Sequence, residues 1–346
     1  MNKQEVVTFG EILLRLKSPG NNLLSQANQL EMSFGGAEAN VAVSLASLGL
    51  KANFITRIPS NELGEMVLGL LRKYNVGTRN ILMGGNRLGL YFLETGALLR
   101  PSKIIYDRAF SSFSEIQPGM INWNDVLREA RWFHWSGISP ALSSSSAQIC
   151  NEALDVCKKK GITVSCDLNF RKNLWKYGRK PSDIMDELVQ KCDILVGNEE
   201  DVQNVLNIFP LKQKNNIKEK KYSDFISISK QLFSKFPRLQ HIGFSIRNSI
   251  SADWNKWSGL LLDKKEIFRS NEYDLTDIVD RVGSGDAFMA GIIYGMVNFP
   301  ENKQRIIDFA VAASCLKHSI NGDFNLARVD EVENIIKGNT SGRINR

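Results

Sequence analysis

The chain has 346 residues, of which 43% are hydrophobic and 23% charged, a balance that is typical of a globular protein with a sizeable core and excludes a largely disordered chain. Its net charge of +7 could favour anionic partners, but the basic residues are scattered. The densest basic run, residues 211–224, also carries Glu219 and Asp224, so we interpret it as a solvated surface insertion rather than a nucleic-acid patch. We expect no nucleic-acid partner, and an anionic small-molecule substrate would explain some of the arginines equally well.

The cysteines and the apolar segments predict the cellular location of the protein. The sequence MNKQEVVTFG passes directly from polar residues into a strand-like run, so we expect no secretory signal peptide. No apolar run reaches the ~18–20 residues that span a bilayer, so we expect no membrane partner. An odd number of dispersed cysteines without a C-x-x-C pair favours a reducing compartment, and we expect a cytoplasmic protein. The thiols are those of Cys150, Cys157, Cys166, Cys192 and Cys315.

The apolar pattern alternates between strands and helices along most of the chain. We predict strands over residues 6–16, 51–58, 132–139, 162–169 and 193–198, and helices over 37–49, 61–76, 145–161 and 182–192. This order predicts an α/β fold with a mostly parallel central sheet and helices on both faces. No repeat or low-complexity linker divides the chain. We therefore expect one domain over residues 1–340 and a loose polar tail over 341–346.

Two segments interrupt this alternation. Residues 15–34 and 87–110 resemble extended hairpins with no helix between their strands, and the second segment turns near Gly96. They predict a small separate sheet, which could leave the main body and act as a lid over a substrate site.

A glycine pair precedes the first predicted helix. Gly35 and Gly36 stand in the stretch SFGGAEANVAVSLASLG, residues 33–49. Two interpretations remain open from the residues alone. The pair is either an ordinary tight turn or a place where the backbone approaches a ligand closely, with Asn40 reaching polar groups.

A second glycine-rich turn, DRVGSGDAF at residues 280–288, precedes an apolar helix predicted over 287–297. We predict that the turn follows an extended segment over 274–280. Its backbone amides would face outward at the positive end of the helix dipole, and its glycines leave room for a phosphate. We therefore predict an anion-binding site made of the backbone of Gly283, Ser284 and Gly285.

Two familiar phosphate-binding motifs are excluded at this turn. The chain has no G-x-x-x-x-G-K-[ST] sequence, and Phe288 stands where the dinucleotide fingerprint needs its third glycine. Asp286 is unusual, because a carboxylate beside a phosphate site repels the phosphate. It could take the proton of a hydroxyl that attacks phosphorus, or it could simply cap the helix, and both interpretations remain open.

Together the two turns resemble the signatures of the ribokinase-like carbohydrate kinases of the phosphofructokinase-B type. That family carries G-G-x-x-x-N-x-A and, later, D-T-x-G-A-G-D; here these are matched by Gly35, Gly36, Asn40 and Ala42, and by Asp280, Gly283, Gly285 and Asp286. The resemblance covers roughly residues 5–335 and implies a three-layer α/β/α fold with a small β-sheet lid. It also implies transfer of phosphate from ATP to a sugar, with Mg²⁺. The chain departs from the pattern at Arg281 and Ser284, neither of which removes a backbone amide.

The sequence DRVG and the middle of the chain resemble the 2-keto-3-deoxygluconate kinases within that family. Tyrosines and arginines at matching positions bind the sugar acid there, and arginine suits a carboxylate because it binds both oxygens. A surface salt bridge for Arg171 and simple lid packing for the tyrosines are the alternatives. The resemblance implies a sugar site made of Gly35, Gly36, Asn40, Tyr91, Tyr106, Arg108, Ile138, Asn169, Arg171 and Asp286.

The family also implies a nucleotide and metal site. The sequence GNEED, residues 197–201, resembles its N-x-x-E motif, which organises Mg²⁺ and phosphates through water, although Asp201 is one methylene shorter than the usual glutamate. A polar helix start is the alternative interpretation. The implied nucleotide contacts are Asn198, Ser245, Arg247, Gly283, Gly285, Ser314 and His318, and the implied metal ligands are Glu199 and Asp201.

The sequence thus predicts an enzyme that phosphorylates the terminal hydroxyl of 2-keto-3-deoxy-D-gluconate, with ATP and Mg²⁺ as cofactors and Asp286 as base. A kinase for a neutral sugar such as fructose or ribose is the alternative in the same class. A nucleoside kinase is less favoured, because the pocket offers charged rather than aromatic stacking contacts. A non-catalytic sugar-binding protein is the alternative of another class. An exposed lid sheet has an apolar face and free edges to cover, so we expect a homo-oligomer through the lid.

Overall fold

A computed structural model describes residues 5–211 and 220–339. Most of the basic run at 211–224 and the whole predicted tail at 341–346 therefore lie outside the described residues. Within the described ranges, every helix is too short or too polar to cross a bilayer.

The strands form a large sheet and two smaller ones. The large sheet has nine strands in the order β14-β13-β12-β11-β10-β9-β1-β4, with β15 paired to β13, and it is parallel from β4 to β12. The strands are β1 (Glu5–Phe9), β2 (Leu13–Lys17), β3 (Glu31–Gly35), β4 (Lys51–Ile55), β5 (Arg57–Ile58), β6 (Leu82–Met83), β7 (Gly89–Glu94), β8 (Lys103–Asp107), β9 (Ala130–Ser136), β10 (Thr163–Asp167), β11 (Ile194–Gly197), β12 (His241–Ser249), β13 (Asn255–Leu262), β14 (Ile267–Arg269) and β15 (Tyr273–Leu275).

The helices cover both faces of the large sheet, as the alternation of strands and helices predicts. Along β11, Ile194 and Val196 belong to one hydrophobic cluster and Leu195 to the other, so consecutive side chains enter opposite layers. This arrangement is the three-layer α/β/α fold. The helices are α1 (Ala37–Ser47), α2 (Glu62–Lys73), α3 (Trp123–Val126), α4 (Ile138–Leu142), α5 (Ser144–Lys160), α6 (Pro181–Val189), α7 (Glu199–Leu206), α8 (Lys220–Lys235), α9 (Ser284–Asn298), α10 (Lys303–Lys317) and α11 (Val329–Ile336).

The predicted small sheet is present. Strands β3, β2, β7 and β8 form a four-stranded sheet in that order, and all four come from the two segments that interrupt the helix–strand alternation. A further pair, β5 with β6, is parallel and separate.

Two predicted strands are shorter than expected because glycines bring the backbone close to buried polar groups. The strand predicted over 6–16 breaks at Gly10, where an added Cβ would lie 2.0 Å from Oε2 of Glu38, and the chain re-forms as β2 in the lid sheet. The strand predicted over 132–139 ends before Gly137, whose Cβ would lie 2.2 Å from the carbonyl oxygen of Leu168. Helix α4 follows at once, so the prediction was wrong for its last residues.

Two more strand boundaries also differ from the prediction. The segment predicted over 51–58 divides between β4 in the large sheet and the short β5. The segment predicted over 274–280 is mainly loop, because only Tyr273–Leu275 pair with β13. The amides of Val279 and Asp280 instead donate to the carbonyl of His318, at 2.9 and 3.2 Å. The glycine-rich turn is thus held by the C-terminal end of α10 and not by the sheet.

Candidate active site

The two glycine-rich turns meet through one side chain. Asn40, in the first turn of α1, donates from Nδ2 to Oδ2 of Asp286 at 2.6 Å, and its Oδ1 accepts the amide of Gly36 at 3.2 Å. Both Asn40 and Asp286 are buried. Motifs 246 residues apart in the chain are therefore parts of one site.

The first glycine pair is a place of close backbone approach. A Cβ on Gly35 would lie 2.0 Å from Oδ2 of Asp323, and a Cβ on Gly36 would lie 2.1 Å from the carbonyl oxygen of Glu11. No side chain fits at either position. The close contacts are made within the protein itself, and they bring the start of α1 against the segment between β1 and β2 and against the Asp323 loop.

The second turn presents free amides at the start of α9. Gly283 has φ +84°, and within the described ranges the amides of Gly283 and Gly285 have no hydrogen-bond acceptor. The prediction of a free amide was wrong for Ser284, because its amide donates to the carbonyl of Arg281 at 3.5 Å. The turn therefore offers two free donors at the positive end of a helix of 15 residues, which is an arrangement that suits an anion.

Asp286 carries a proton more readily than an ordinary aspartate. Burial raises its pKa to about 7, with Asp323 and Glu38 acting in the same direction and Asn40 and Arg171 opposing them. No side-chain capping bond is made at the start of α9. The capping interpretation of Asp286 is therefore not supported, and a carboxylate with a pKa near neutrality suits a general base.

Two cavities meet at Asp286. The outer cleft, of about 600 Å³, has a volume that suits a nucleotide-sized ligand, and the inner pocket is smaller. Strand β8 of the small sheet contributes Ile104 to the wall of both cavities. The small sheet therefore lies over the site, as expected of a lid. The residues shared by the two walls are Ile104, Asn169, Arg171, Val282, Gly283 and Asp286.

The inner pocket brings together every residue that the sequence assigned to the sugar site. It is lined by Gly35, Gly36, Asn40, Tyr91, Tyr106, Arg108, Ile138, Asn169, Arg171 and Asp286, and also by Glu11, Glu38 and Asp323. The contact of each residue with a sugar remains a prediction.

Among the predicted sugar-binding arginines and tyrosines, Arg108 and Tyr91 are already paired with carboxylates of the protein. Arg108 forms a buried ion pair with Glu11, at 2.8 Å from Nε and 2.5 Å from Nη2. The hydroxyl of Tyr91 bonds both oxygens of Asp323, at 2.6 and 2.7 Å. Arg171 instead donates only to the carbonyl of Phe170, at 2.9 Å, and has no ion-pair partner in the described parts of the chain. It is the arginine most available to a substrate carboxylate.

The outer cleft contains most of the predicted nucleotide residues. Asn198, Ser245, Arg247, Gly283, Ser284 and Gly285 line it. Arg247 donates to Oγ of Ser284 at 2.9 Å and lies over the ring of Trp257. Burial, together with the charge of Arg281, lowers its pKa to about 10. Two neighbouring arginines that repel each other would both gain from a bound polyphosphate.

Ser314 and His318 do not line this cleft, which corrects their predicted place on its wall. Both are buried, and Oγ of Ser314 donates to the carbonyl of Ser284 at 2.7 Å. The ring of His318 packs edge-on against Trp257 and bonds the carbonyl of Ser314. They lie behind the glycine-rich turn and support it from the side of α10.

The predicted metal residues also differ in placement. Glu199 does not line the cleft, and its Oε1 accepts from Gln203 at 3.0 Å. Asp201 lines it, but its two oxygens accept the amides of Phe170 and Asn198, both at 3.0 Å, in a capping box at the start of α7. These two hydrogen bonds fit the alternative interpretation of GNEED, in which the segment is the polar start of a helix and not a metal-binding motif.

A carboxylate that the sequence analysis missed suits Mg²⁺ better. Asp167, at the end of β10, lines the cleft, and burial together with the charges of Asp201 and Asp286 raises its pKa well above the usual range. A cation would relieve that repulsion. Among the described residues no three acidic, cysteine or histidine side chains cluster closely enough to hold a metal. Mg²⁺ fits such a site, because it keeps several waters and binds substrate phosphates.

Known proteins are similar to this chain in sequence and in fold. The sequence profile described as "pfkB family carbohydrate kinase" matches residues 3–224. The chain belongs to the pfkB family of carbohydrate kinases. This kinase is 29% identical to the 2-dehydro-3-deoxygalactonokinase of Haloferax volcanii over 98% of both chains.

Solved structures agree with this membership. The kinase superimposes with a TM-score of 0.90 on the crystal structure of 2-dehydro-3-deoxygluconokinase from Thermotoga maritima, at 42% identity, covering 97% of this chain and 100% of that one. A protein described as a ribokinase II from E. coli, in complex with ATP and Mg²⁺, matches with a TM-score of 0.77 at 19% identity, covering 97% and 99%. That second likeness shows the fold alone, and the predicted ribokinase-like fold is confirmed.

The pKa of Asp286 predicts how the sugar kinase responds to pH. If the carboxylate takes the proton of the attacking hydroxyl, kcat/KM should fall about tenfold per pH unit below about pH 7. Asn40→Leu removes a hydrogen bond that lowers this pKa, so the acid limb should move to higher pH. The measurement is a pH–rate profile of both proteins. An acid limb at the same pH in both would contradict the coupling of Asn40 to Asp286.

Proposed function

We propose that this kinase transfers the terminal phosphoryl group of ATP to the terminal hydroxyl of 2-keto-3-deoxy-D-gluconate. The observation that carries the proposal is the meeting of the two cavities at Asp286 and the free amides of the glycine-rich turn. The names of the similar enzymes from H. volcanii and T. maritima support a 2-keto-3-deoxy sugar acid as the substrate class.

In the proposed reaction, the sugar acid occupies the inner pocket and ATP the outer cleft. The terminal hydroxyl lies beside Asp286, whose carboxylate takes the hydroxyl proton as the oxygen bonds to phosphorus. The bond between that phosphorus and the bridging oxygen of ADP breaks, and the amides of Gly283 and Gly285 stabilise the negative charge. When bound, Mg²⁺ would neutralise phosphate charge, and Asp167, which lines the outer cleft, would hold its water shell.

A substrate panel tests the proposal. ADP release would be measured with and without Mg²⁺ for 2-keto-3-deoxygluconate, 2-keto-3-deoxygalactonate, gluconate, fructose, ribose and adenosine. Turnover confined to the keto-deoxy acids is the expected result. Faster turnover of the galactonate-derived acid would favour the activity named for the H. volcanii relative. Turnover of fructose or ribose would keep the Asp286 mechanism and remove the acid pocket, and no turnover from folded protein would favour the binding-protein alternative.

Arg171 should set the affinity for the acid. Arg171→Ala is expected to raise KM for the sugar acid by about 10–100-fold, since a hydrogen bond to a charged group contributes roughly 1.5–3 kcal/mol. Because Arg171 also lowers the pKa of Asp286, KM should be compared between the two proteins over a range of pH and not at one pH alone. Arg128→Ala, at an exposed arginine paired with Asp125, is the matched control. An unchanged KM in Arg171→Ala would show that the carboxylate is bound elsewhere.

We also propose that the kinase forms homo-oligomers through the small sheet, as the sequence predicts. Ile105 of β8 and Met32 of β3, which the strand register places on the same face of the small sheet, are exposed at 43% and 51%. Such apolar side chains on a free sheet would be covered by a second copy of the sheet. Size-exclusion chromatography at the mass of a monomer would count against this.

A further inference from the structure

We propose that the ammonium group of Lys317 is a fixed internal cation that holds the glycine-rich turn in its anion-binding shape. Lys317 would be a positioning residue for phosphoryl transfer, because it touches the turn and not the substrates. This inference rests on the proposed role of the turn in holding the transferred phosphoryl group.

The side chain of Lys317 is completely buried, at 0% exposure. A lysine is almost never found in that state unless its charge is paired. Its Nζ donates to the carbonyl of Ile320 at 2.9 Å and to the carbonyl of Asp280 at 3.3 Å. It therefore joins the first residue of the glycine-rich turn to the loop that follows α10.

The aliphatic part of the same side chain supports Gly283. A Cβ added to Gly283 would lie 3.3 Å from Cε of Lys317 and 2.0 Å from the carbonyl oxygen of Asp323. The side of Gly283 that a Cβ would occupy thus faces the lysine side chain and the Asp323 loop. In this proposal, a shift of the ammonium group would move the amides that face the cleft.

Charged side chains near Lys317 favour a positive charge on its ammonium group. Arg15 joins Asp280 at 2.5 Å and Asp323 at 2.7 Å, and all three side chains are buried. With Lys317 charged, two cations balance two carboxylates beneath the turn. Burial lowers the pKa of Lys317 to about 8, while the charges of Asp280, Asp323 and Asp286 oppose that shift and Arg15 reinforces it. A neutral residue would leave excess negative charge below a site that has to accept phosphate.

Lys317→Ala tests this by leaving a cavity lined with the two carbonyl groups, which a small cation could fill. We expect kcat to fall about tenfold or more, which is less than the roughly 10²–10³-fold loss on removal of a donor that touches the transition state, because Lys317 acts through the turn. KM for the sugar acid should stay the same, because Arg171 is untouched. Ammonium or methylammonium should restore much of the lost rate at constant ionic strength, whereas tetramethylammonium, which is too large, should not. The wild-type rate should respond to none of them.

Two further variants separate charge from packing. Lys317→Met fills the space without a charge, so it should lose rate and show no rescue. Ile306→Ala makes a cavity on the same helix at a fully buried position, so it should lower the melting temperature without changing kcat or the response to cations.

The melting temperature gives a second readout that does not depend on activity. A rise in the melting temperature of Lys317→Ala with ammonium or methylammonium would measure cation binding even if no substrate of the panel were turned over. The proposal for Lys317 and the proposed kinase function can therefore fail separately. Normal kcat in Lys317→Met, or a folded Lys317→Ala that neither recovers rate nor gains stability with ammonium, would overturn the inference. Failure of both Lys317 variants to fold, with or without ammonium, would also overturn it and leave Lys317 a residue of the folding core.

Discussion

Asp286→Asn is expected to lower kcat by about 10²–10⁴-fold while leaving ATP binding intact, because it removes the proton acceptor without removing a backbone amide of the turn. The amide side chain can still bond Asn40, so the geometry at the start of α9 should persist. An ADP-release assay gives the rate, and calorimetric titration with ATP in Mg²⁺ buffer gives the affinity. A rate within a few-fold of wild type would remove Asp286 from the mechanism.

The same variant should be more stable than wild type, and more so at high pH. In an unfolded chain an aspartate has a pKa of 3.8, whereas Asp286 in the folded protein has a pKa of about 7. The folded state therefore holds the proton more tightly, so protonation of Asp286 contributes stability that is lost as the pH rises through 7. Asparagine has no charge to bury. The gain in melting temperature should be larger at about pH 8 than at about pH 5.

Asp308→Asn is the matched control for that stability change. Burial also raises the pKa of Asp308, which lies on α10 and bonds Gln304, away from both cavities. It should change stability without lowering kcat. A melting temperature of Asp286→Asn that stays below wild type across this pH range would show that the ionised carboxylate stabilises the fold, against its raised pKa.

The sequence predicts the fold and each of the two turns because their signals are local, whereas the meeting of the turns was implied only by the family resemblance. A glycine next to the start of an apolar helix indicates a turn whatever packs around it. The spacing of apolar residues likewise distinguishes helices from strands without knowledge of the elements that pack against them. Helix α5 illustrates this, since Ser143 caps its start and Gly161 ends it in a left-handed conformation. The bond between Asn40 and Asp286 has no such local signal, because the first turn follows β3 of the small sheet and the second follows a loop held by the end of α10.

The pairing of charged groups could not be read from the sequence in the same way. Glu11 and Arg108 are 97 residues apart, and Tyr91 and Asp323 are 232 apart, so nothing local marks them as partners. Both pairs join the lid strands to the main body. Asp167 was missed for a similar reason: its pKa is raised by burial and by the charges of Asp201 and Asp286, which only the folded chain brings near.

Gly285→Ala should produce an enzyme that is more stable than wild type and much less active. A Cβ at Gly285 would have no atom within 4 Å, so the protein has room for it, and alanine is favoured over glycine in a helix by about 0.5–1 kcal/mol. The methyl group would however stand in the outer cleft beside the free amides. We expect kcat/KM for ATP to fall by about 10²-fold or more, as when an oxyanion donor is lost. Thermal unfolding and ATP-dependent kinetics on the same preparation measure both effects.

Gly283→Ala is the counterpart that should fail through folding. Its Cβ would lie 2.0 Å from the carbonyl of Asp323, and φ is +84°, a conformation that alanine adopts only with strain. It should therefore lose stability and activity together, whereas Gly285→Ala should lose activity alone. If Gly285→Ala kept the wild-type kcat/KM for ATP, the phosphates would not approach the start of α9. The free amides there would then have no part in catalysis, although the proton transfer to Asp286 could stand.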